Sequence, residues 1–564
     1  MASSERRALL FGLLLAGCAH GDPRRFPLAT PVLRDPDLQA VTLPCDGAPK
    51  CAPKPRTNFL IWDSVDNSVF RPATDFLRAR RGGDALDVNA YDEVPSSSFF
   101  ENRLGAQWLT PEQVEAGFCP TGPVPDPNAP DGAWLVDHGK DNGANPGFRI
   151  KTADTKFMLK TDLGEGERAT AATAIATRLY YAAGFWAPCD AVVYFRRSLL
   201  KVAPGLTVQG NAGTPKPFDE AAVDKQLEKA ERRGPLFRAV ASRWLPGTPI
   251  GPFAYDGTKD DDPGDLVPHE KRRPLRGSRL MAAWLNHFDA REQNTMATWE
   301  PDDPARPGRG HVRHWILDMG DCFGSQWEND TLSRKHGHSY FLDTRHMAED
   351  FVTLGIPQRP WDTARIAEGL EDFGYFSAAR FDPEAWRGEY PMLPFDNMTE
   401  QDGAWMTRII ARFTPAHLEA AVRAGDLTEP LHSRFLVRTL IDRQKAILRR
   451  YFAKVSPLAD VSREGDDLCA VDLARATRTY PEDRFRYRAL VTRGPAAEAR
   501  IPVRVLEDGR VCVPVPARVK DASPPDAAGR YVVVRIENGA SLGPLELHLY
   551  DLGHTMQLVG IARP

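Results

Sequence analysis

Apolar positions recur along this chain in two rhythms. Short apolar runs, Trp134-Leu-Val136, Phe148-Arg-Ile-Lys151 and Lys156-Phe-Met-Leu-Lys160, alternate with turn residues and predict three strands. Residues 165–184 are rich in alanine and place Ile175, Leu179 and Ala182 on one face. With Glu165 and Glu167 in the first turn and Gly184 and Pro188 as stops, they predict a helix. A strand Ala191-Val-Val-Tyr-Phe195 follows, then a charged helix over 219–233 and an apolar strand over 237–244. Leu280, Met281, Trp284, Leu285 and Phe288 recur at helical spacing, so a buried helix delivers Asp289 at its C-terminal end, and 312–317 reads as another strand. Residues 361–452 read as mostly helical with broken connections; Thr414-Pro415 open one helix that Gly425 ends, and 431–452 form a longer one. Beyond about residue 468 short strands with Gly-bearing turns predict a small all-β, sandwich-like accessory module suited to binding.

The two ends of the pattern differ in kind. Arg6-Arg7 precede an apolar run over 8–16 that is too short for a retained spanning helix and reads as an export signal. Its end, Leu15-Ala16-Gly17-Cys18, resembles the bacterial lipobox, which implies lipidation of Cys18, a lipid bilayer as partner and, with Ala19 next, the outer membrane of the cell envelope. Residues 18–58 are rich in Pro, Gly, Asp and Arg without apolar periodicity and read as a tether to a folded body that begins near Phe59. Export places Cys45, Cys51, Cys119, Cys189, Cys322, Cys469 and Cys512 where disulfides persist; Cys45 with Cys51 is the expected pair, and an odd number leaves at least one thiol.

Composition narrows the function classes. The chain has 564 residues, which favours two or three domains, and 72 Lys+Arg against 76 Asp+Glu give a net charge of -4, without the basic footprint of a nucleic-acid binder. The charge runs Asp260-Asp-Asp262 and Lys271-Arg272-Arg273 read as solvated faces and carry no assigned chemistry.

The chemistry concentrates in two strings, His287-Phe-Asp289-Ala-Arg-Glu-Gln-Asn294 and Leu317-Asp318-Met-Gly320-Asp321-Cys-Phe323-Gly324. An Asp with an Asn five residues on, then an apolar strand ending in Asp-x-Gly-x-x-Phe-Gly, is the order in which kinase-type enzymes present a proton acceptor and two metal ligands. Asp289 is the candidate base, Asn294 and Asp318 are candidate ligands for Mg2+ or Mn2+, and Asp321 competes with Asp318. Upstream, Gly139, Gly143 and Gly147 fall in a turn that can aim N–H groups at phosphates, and Lys160 with Glu167 can form the ion pair that steadies a lysine against a nucleotide.

Three rival motifs are weaker. Gly164-x-Gly166-x-x-Ala169 has the form of a dinucleotide-binding turn, yet Arg196-Arg197 close the next strand where that fingerprint wants an acid. His287, His311 and His314 invite a zinc reading, but His311 and His314 fall on opposite faces of a strand and no HExxH occurs. No Gly-x-Ser-x-Gly occurs either, which removes the simplest serine hydrolase.

On these residues the chain resembles the atypical kinases that include the secretory-pathway casein kinases, the CotH kinases and the HipA-type kinases. Leu317-Asp318-Met-Gly320-Asp321-Cys-Phe323-Gly324 is similar to the metal-binding segment of the first, and Phe157-Met-Leu-Lys160 with Glu167 and Ala182-Ala-Gly184-Phe-Trp-Ala-Pro188 is similar to the lysine strand and glutamate helix of the last. Stretches such as Asp87-Val-Asn-Ala-Tyr-Asp-Glu-Val-Pro and Trp284-Leu-Asn-His-Phe-Asp289 also resemble a set of proteobacterial lipoproteins, a likeness that assigns no substrate. The resemblance implies a two-lobed kinase-like fold over roughly residues 85–455, with a mainly β nucleotide-binding lobe within 59–250 and a mainly helical catalytic lobe over 251–455; with the signal peptide read over 1–17 and the β module over 468–564, the expected fold class is α+β. It implies that Lys160 and Glu167 grip ATP, that Asp289 is the base, and that Asn294 and Asp318 hold metal, while the turn residues Gly143 and Gly147 are candidate nucleotide contacts on their own reading. No His-Arg-Asp occurs at Asp289, and the glycine turn departs from the usual kinase loop. Two functions of different class follow. One is phosphoryl transfer from ATP to a protein or small-molecule hydroxyl; the other is a catalytically silent, kinase-shaped envelope lipoprotein that binds a partner, since an exported protein meets little ATP.

Overall fold

The computed structural model describes residues 25–564 apart from 46–47, 49–50, 58–59, 78–81, 120–123, 141–146, 163–165, 210–214, 325–331, 360, 364 and 374, so Cys18 and Gly143 lie outside the described residues. The fold is α+β, with several separate sheets.

The first core is built on a mainly antiparallel sheet, with one parallel pair at Trp134↔Leu200. Strands β1 (Trp134–Lys140), β2 (Gly147–Lys151) and β3 (Lys156–Lys160) form a meander, β4 (Asp190–Phe195) lies at the far edge, and β5 (Leu236–Arg243) sits between β3 and β4. Alternation decides the faces. Phe157 and Leu159 point into a core with Trp134, Phe148, Ile150, Phe195 and Phe237, capped by Val223 and Leu227 of the helix Glu220–Leu227, whereas Lys160 points to the opposite face.

Helix α1 (Arg168–Ala183) leaves this sheet and enters a larger core. Its alanines allow close approach on almost every side, and Ile175, Leu179 and Tyr180 pack with Trp284 and Met281 of α2 (Arg273–Leu285). The same core takes in Trp405 of α3 (Glu400–Ile410), Leu418 of α4 (Pro415–Arg423) and Leu436, Leu440 and Ile447 of α5 (Pro430–Phe452). The described residues within 361–391, expected to be mostly helical, form turns and irregular chain instead. Between α2 and this helical group lies a hairpin of β6 (Thr295–Pro301) and β7 (Arg309–Ile316), paired from Thr295↔Ile316 outward.

The C-terminal module begins earlier than the expected residue 468, with the strand Leu458–Glu464. It consists of a four-stranded and a five-stranded sheet that share one core of Leu458, Val511, Val534, Leu547 and their neighbours. The expected pair Cys45–Cys51 forms, Cys119–Cys189 and Cys469–Cys512 complete the disulfides, and Cys322 is a buried free thiol. Among the described residues no helix is long and apolar enough to cross a membrane.

Two expectations fail, and buried charge has a part in both. The stretch read as a tether is packed down from Arg25: Val41–Thr42 joins the edge of β7, Leu43 is 3% exposed, and Asp37 accepts from Ser98 while lying 3.3 Å from Arg272. Of the runs read as solvated faces, Asp260 is exposed as expected, but Asp262, Arg272 and Arg273 are buried, as is Arg276 one turn further on. Arg273 meets Asp402 at 3.0 Å and Asp92 at 2.6 Å, Arg276 meets Asp402 at 3.2 Å, and Arg563 of the C-terminal module reaches Asp92 at 2.8 Å. Burial alone would raise the Asp92 carboxyl, but Arg273, Arg563 and Arg408 together hold it at about 2. Ion pairs add to the apolar clusters that join Leu43 with Leu275 and Leu473 with Phe452 in holding the N-terminal segment and the C-terminal module to the helical core, and such pairs leave no apolar periodicity to read.

Removing one partner of such a cluster strands the others in low dielectric. Asp402→Ala is expected to cost about 3–5 kcal/mol, read as a drop in the urea-unfolding midpoint, with Asp402→Asn costing less because it keeps part of the hydrogen bonding.

Candidate functional site

Strand β3 ends at Lys160, which faces Gly147 on one side and Val240 of β5 on the other. A side chain at 147 would put its Cβ 2.5 Å from the Leu159 carbonyl oxygen and 3.4 Å from Lys160 Cγ, so glycine is the residue this pairing permits. The lysine Nζ reaches across to Asp318, donating to Oδ1 at 2.7 Å, with the two side chains 16% and 36% exposed. Beneath them Asp190, at the start of β4, is 1% exposed; burial pushes its carboxyl up to about 6, against the pull of a Ser242 hydrogen bond and the charges of Lys160 and Arg178.

Asp318 owes its position to the hairpin. β7 ends at Ile316, Leu317 N–H donates to the Asn294 carbonyl at 2.8 Å, and Asp318 then turns the chain with φ 54°, a left-handed conformation that Asp tolerates. Asn294 therefore lies beside the base of the turn, with its Nδ2 donating to the Asp289 carbonyl at 2.8 Å, which commits the amide's donor end and leaves its oxygen end for a cation. The turn closes at Phe323 (φ 62°) and Gly324 (φ 80°), where a Cβ on 324 would come 2.9 Å from the Phe376 nitrogen.

Asp289 arrives from the other direction. Helix α2 stops at Asn286, whose left-handed backbone lets His287 N–H donate to the Ala282 carbonyl at 2.8 Å and swings the chain toward the turn. Asp289 N–H donates to Asp321 Oδ2 at 2.7 Å, and its Oδ1 lies 2.7 Å from Arg291 Nε. Arg291 also meets Glu389 at 3.0 Å and Asp63 at 3.5 Å. Burial and the neighbouring Asp289 raise the Glu389 carboxyl to about 9, so a protonated Glu389 stands beside Asp289. Burial likewise lowers His287 to about 4, leaving a neutral ring whose Nδ1 lies 2.9 Å from the Tyr180 hydroxyl.

The structure thus brings Lys160, Gly147, Asn294, Asp318, Asp289 and Asp321 into one neighbourhood, but Glu167 does not join Lys160. It sits just before the start of α1 without a side-chain capping bond, and its carboxylate accepts from Thr428 N–H and Thr428 Oγ1, both at 2.6 Å, while lying 3.3 Å from the fully buried Arg238. The helix begins at Arg168, after the acidic residues expected in its first turn, which leaves Glu167 tied to the turn after α4. Asp321 also differs from Asp318. Burial and the carboxylates of Asp289 and Asp318 push its carboxyl well above the usual range, and its hydrogen bond serves the Asp289 backbone. Missed from the sequence were Asp190, Tyr180, Arg291 and Glu389. Glu389 sits in irregular chain, where no periodicity marks a site.

Comparison of the chain with protein-family models, curated proteins and solved structures finds no match.

Glu389 supplies a pH signature. The folded chain holds its proton up to about 9 while the unfolded chain releases it near 4.5, so the folded state binds the extra proton in that window and stability falls as pH rises through it. Glu389→Gln cannot ionise. Its stability relative to the parent is expected to grow between roughly pH 5 and pH 9 by more than the ~1.4 kcal/mol of one pKa unit, measured by urea unfolding at each pH.

Proposed function

We propose that this chain is a metal-dependent phosphotransferase with a kinase-like, two-lobed site that moves phosphate from ATP to a hydroxyl of a protein or small molecule. The observation that carries the reading is the meeting of Lys160, on the third strand of the sheet, with Asp318, on the turn that follows the Asn294 hairpin, at 2.7 Å. A cation and a carboxylate so paired, one from the sheet and one from the loop that also carries Asn294, are the groups a nucleotide's phosphates and their metal require. The donor chemistry fits Mg2+ or Mn2+, because Asp318 and Asn294 offer hard oxygen ligands from a half-exposed turn.

Bound there, the metal supplies positive charge against the phosphate oxygens. Lys160 exchanges its contact with Asp318 for one with phosphate, and Gly147 keeps the β2 backbone close to that lysine. Asp289, held by Arg291 and by its own N–H on Asp321, orients the acceptor hydroxyl and takes its proton as the new O–P bond forms and ADP departs. Glu389, carrying a proton beside it, spares Asp289 a second full negative neighbour. Glu167 has a different part: it fixes α1 to the turn at Thr428 and so supports the sheet from behind. For location, we propose an envelope lipoprotein held to the outer membrane by lipid on Cys18.

Mg-ATP or Mn-ATP at about a hundred times its dissociation constant is expected to stabilise the parent chain by ~2.7 kcal/mol, seen as a rise of several degrees in a thermal-shift assay, and Asp318→Ala is expected to abolish the rise. No rise with either metal would favour the silent binding module. Independently, Cys18→Ser is expected to move the chain from the membrane fraction to the soluble fraction of cells that express it; retention on the membrane contradicts the lipid anchor.

A further inference from the structure

Behind the Lys160–Asp318 contact lies a second group of donors, of which the proposed reaction uses only Asp321, through the one oxygen that accepts from Asp289 N–H. His287 and Cys322 are both 0% exposed, and Asp321 stands next to Cys322 in the chain. His287 Nε2 and Asp321 Oδ1 are buried atoms without a hydrogen-bond partner, although they face each other at 3.5 Å. That separation is too long for an N···O hydrogen bond, whose range ends near ~3.2 Å. It is close to the ~3.4 Å that separates two light-atom ligands on a tetrahedral zinc ion, given bond lengths of about 2.0–2.1 Å. Together with the Cys322 sulfur, the donor atoms lie within 4.8 Å of one another, so a modest contraction brings all three to one ion.

The surroundings are those of a prepared ligand set. The other imidazole nitrogen of His287 is engaged by the Tyr180 hydroxyl at 2.9 Å, which fixes the ring with Nε2 toward Asp321. The other Asp321 oxygen is fixed by Asp289 N–H at 2.7 Å. Six of the seven cysteines after Cys18 are in disulfides, and Cys322 alone of these keeps its thiol. One imidazole nitrogen, one carboxylate oxygen and one thiolate sulfur suit a borderline-soft ion and not Mg2+. A divalent ion balanced by one thiolate and one carboxylate also removes the cost of burying the Asp321 charge alone.

We infer that His287, Asp321 and Cys322 bind a zinc ion that cross-links the end of α2 to the Asp318 turn. The ion occupies a site separate in ligand chemistry from Asp318 and Asn294, and its presence does not depend on phosphoryl transfer. Its role is structural: it ties the loop that carries Asp289 to the turn that carries Asp318, with a fourth position filled by water.

The test uses the full chain, purified in detergent, stripped with a chelator and titrated with Co2+ and then Zn2+. One equivalent of Co2+ is expected to give a thiolate-to-cobalt charge-transfer band with tetrahedral d–d bands, both displaced by Zn2+. Cys322→Ser is expected to lower the charge-transfer band and the bound zinc more than tenfold, and Asp318→Ala to leave both unchanged. Should Cys322→Ser fail to fold, X-ray absorption of the zinc-loaded parent chain decides, with one sulfur expected at about 2.3 Å beside nitrogen and oxygen ligands at about 2.0–2.1 Å. A parent chain that binds no cobalt, a Cys322→Ser chain with an undiminished band, or a zinc shell without sulfur overturns the assignment.

Discussion

The contact between Lys160 and Asp318 is the constraint around which the site is arranged. It joins residues 158 positions apart, one at the end of a sheet strand and one on a left-handed turn, at 2.7 Å. Each side is held in place by its own element. The lysine is fixed by pairing with Gly147 and Val240, and the aspartate by the hydrogen bond from Leu317 to Asn294 at the mouth of the β6–β7 hairpin. Asn294 in turn holds the Asp289 carbonyl, and Asp289 leans on Asp321, so moving the lysine strand or the hairpin disturbs every group proposed to act on phosphate. The pair is partly exposed, and its value lies less in stability than in keeping opposite charges where a polyanion can separate them.

Around this contact the protein gathers an unusual density of carboxylates. Burial and neighbouring carboxylates raise Asp190, Asp321 and Glu389, with Asp289 and Asp318 supplying the neighbouring charge, and Lys160 and Arg291 oppose the group with ion pairs. Such a group of carboxyls favours cations, in keeping with the proposed metal-dependent reaction and with the zinc site inferred behind it. Farther out, the same use of buried charge builds the scaffold, where Asp92 collects Arg273, Arg408 and Arg563 and thereby joins the C-terminal module to the helical core.

Much of this organisation was legible in the residues because it follows from periodicity. The strands ending at Lys160, the alanine-rich α1 and the helix that delivers Asp289 all announce themselves by spacing and stop signals, and the two strings at Asp289 and Asp318 do come together. The parts that were not legible depend on tertiary charge. Glu167 sits where an ion pair with Lys160 was expected, yet a helix that starts one turn later points its carboxylate at Thr428. Arg272 and Arg273 look like solvated charges until Asp37, Asp265, Asp92 and Asp402 arrive from distant segments. Strand β6 was missed because Thr295-Met-Ala-Thr-Trp-Glu-Pro301 follows Asn294 without a turn residue to announce it. Glu389 had no signal at all.

The measurement that bears most directly on the central claim is equilibrium binding of a fluorescent ATP analogue to the chain, with and without Mn2+, in Lys160→Met and Glu167→Gln variants. Saturable binding that needs the metal, is lost in Lys160→Met and persists in Glu167→Gln is the predicted result. Binding that is indifferent to the metal and to Lys160, or no binding by the parent chain, would contradict it.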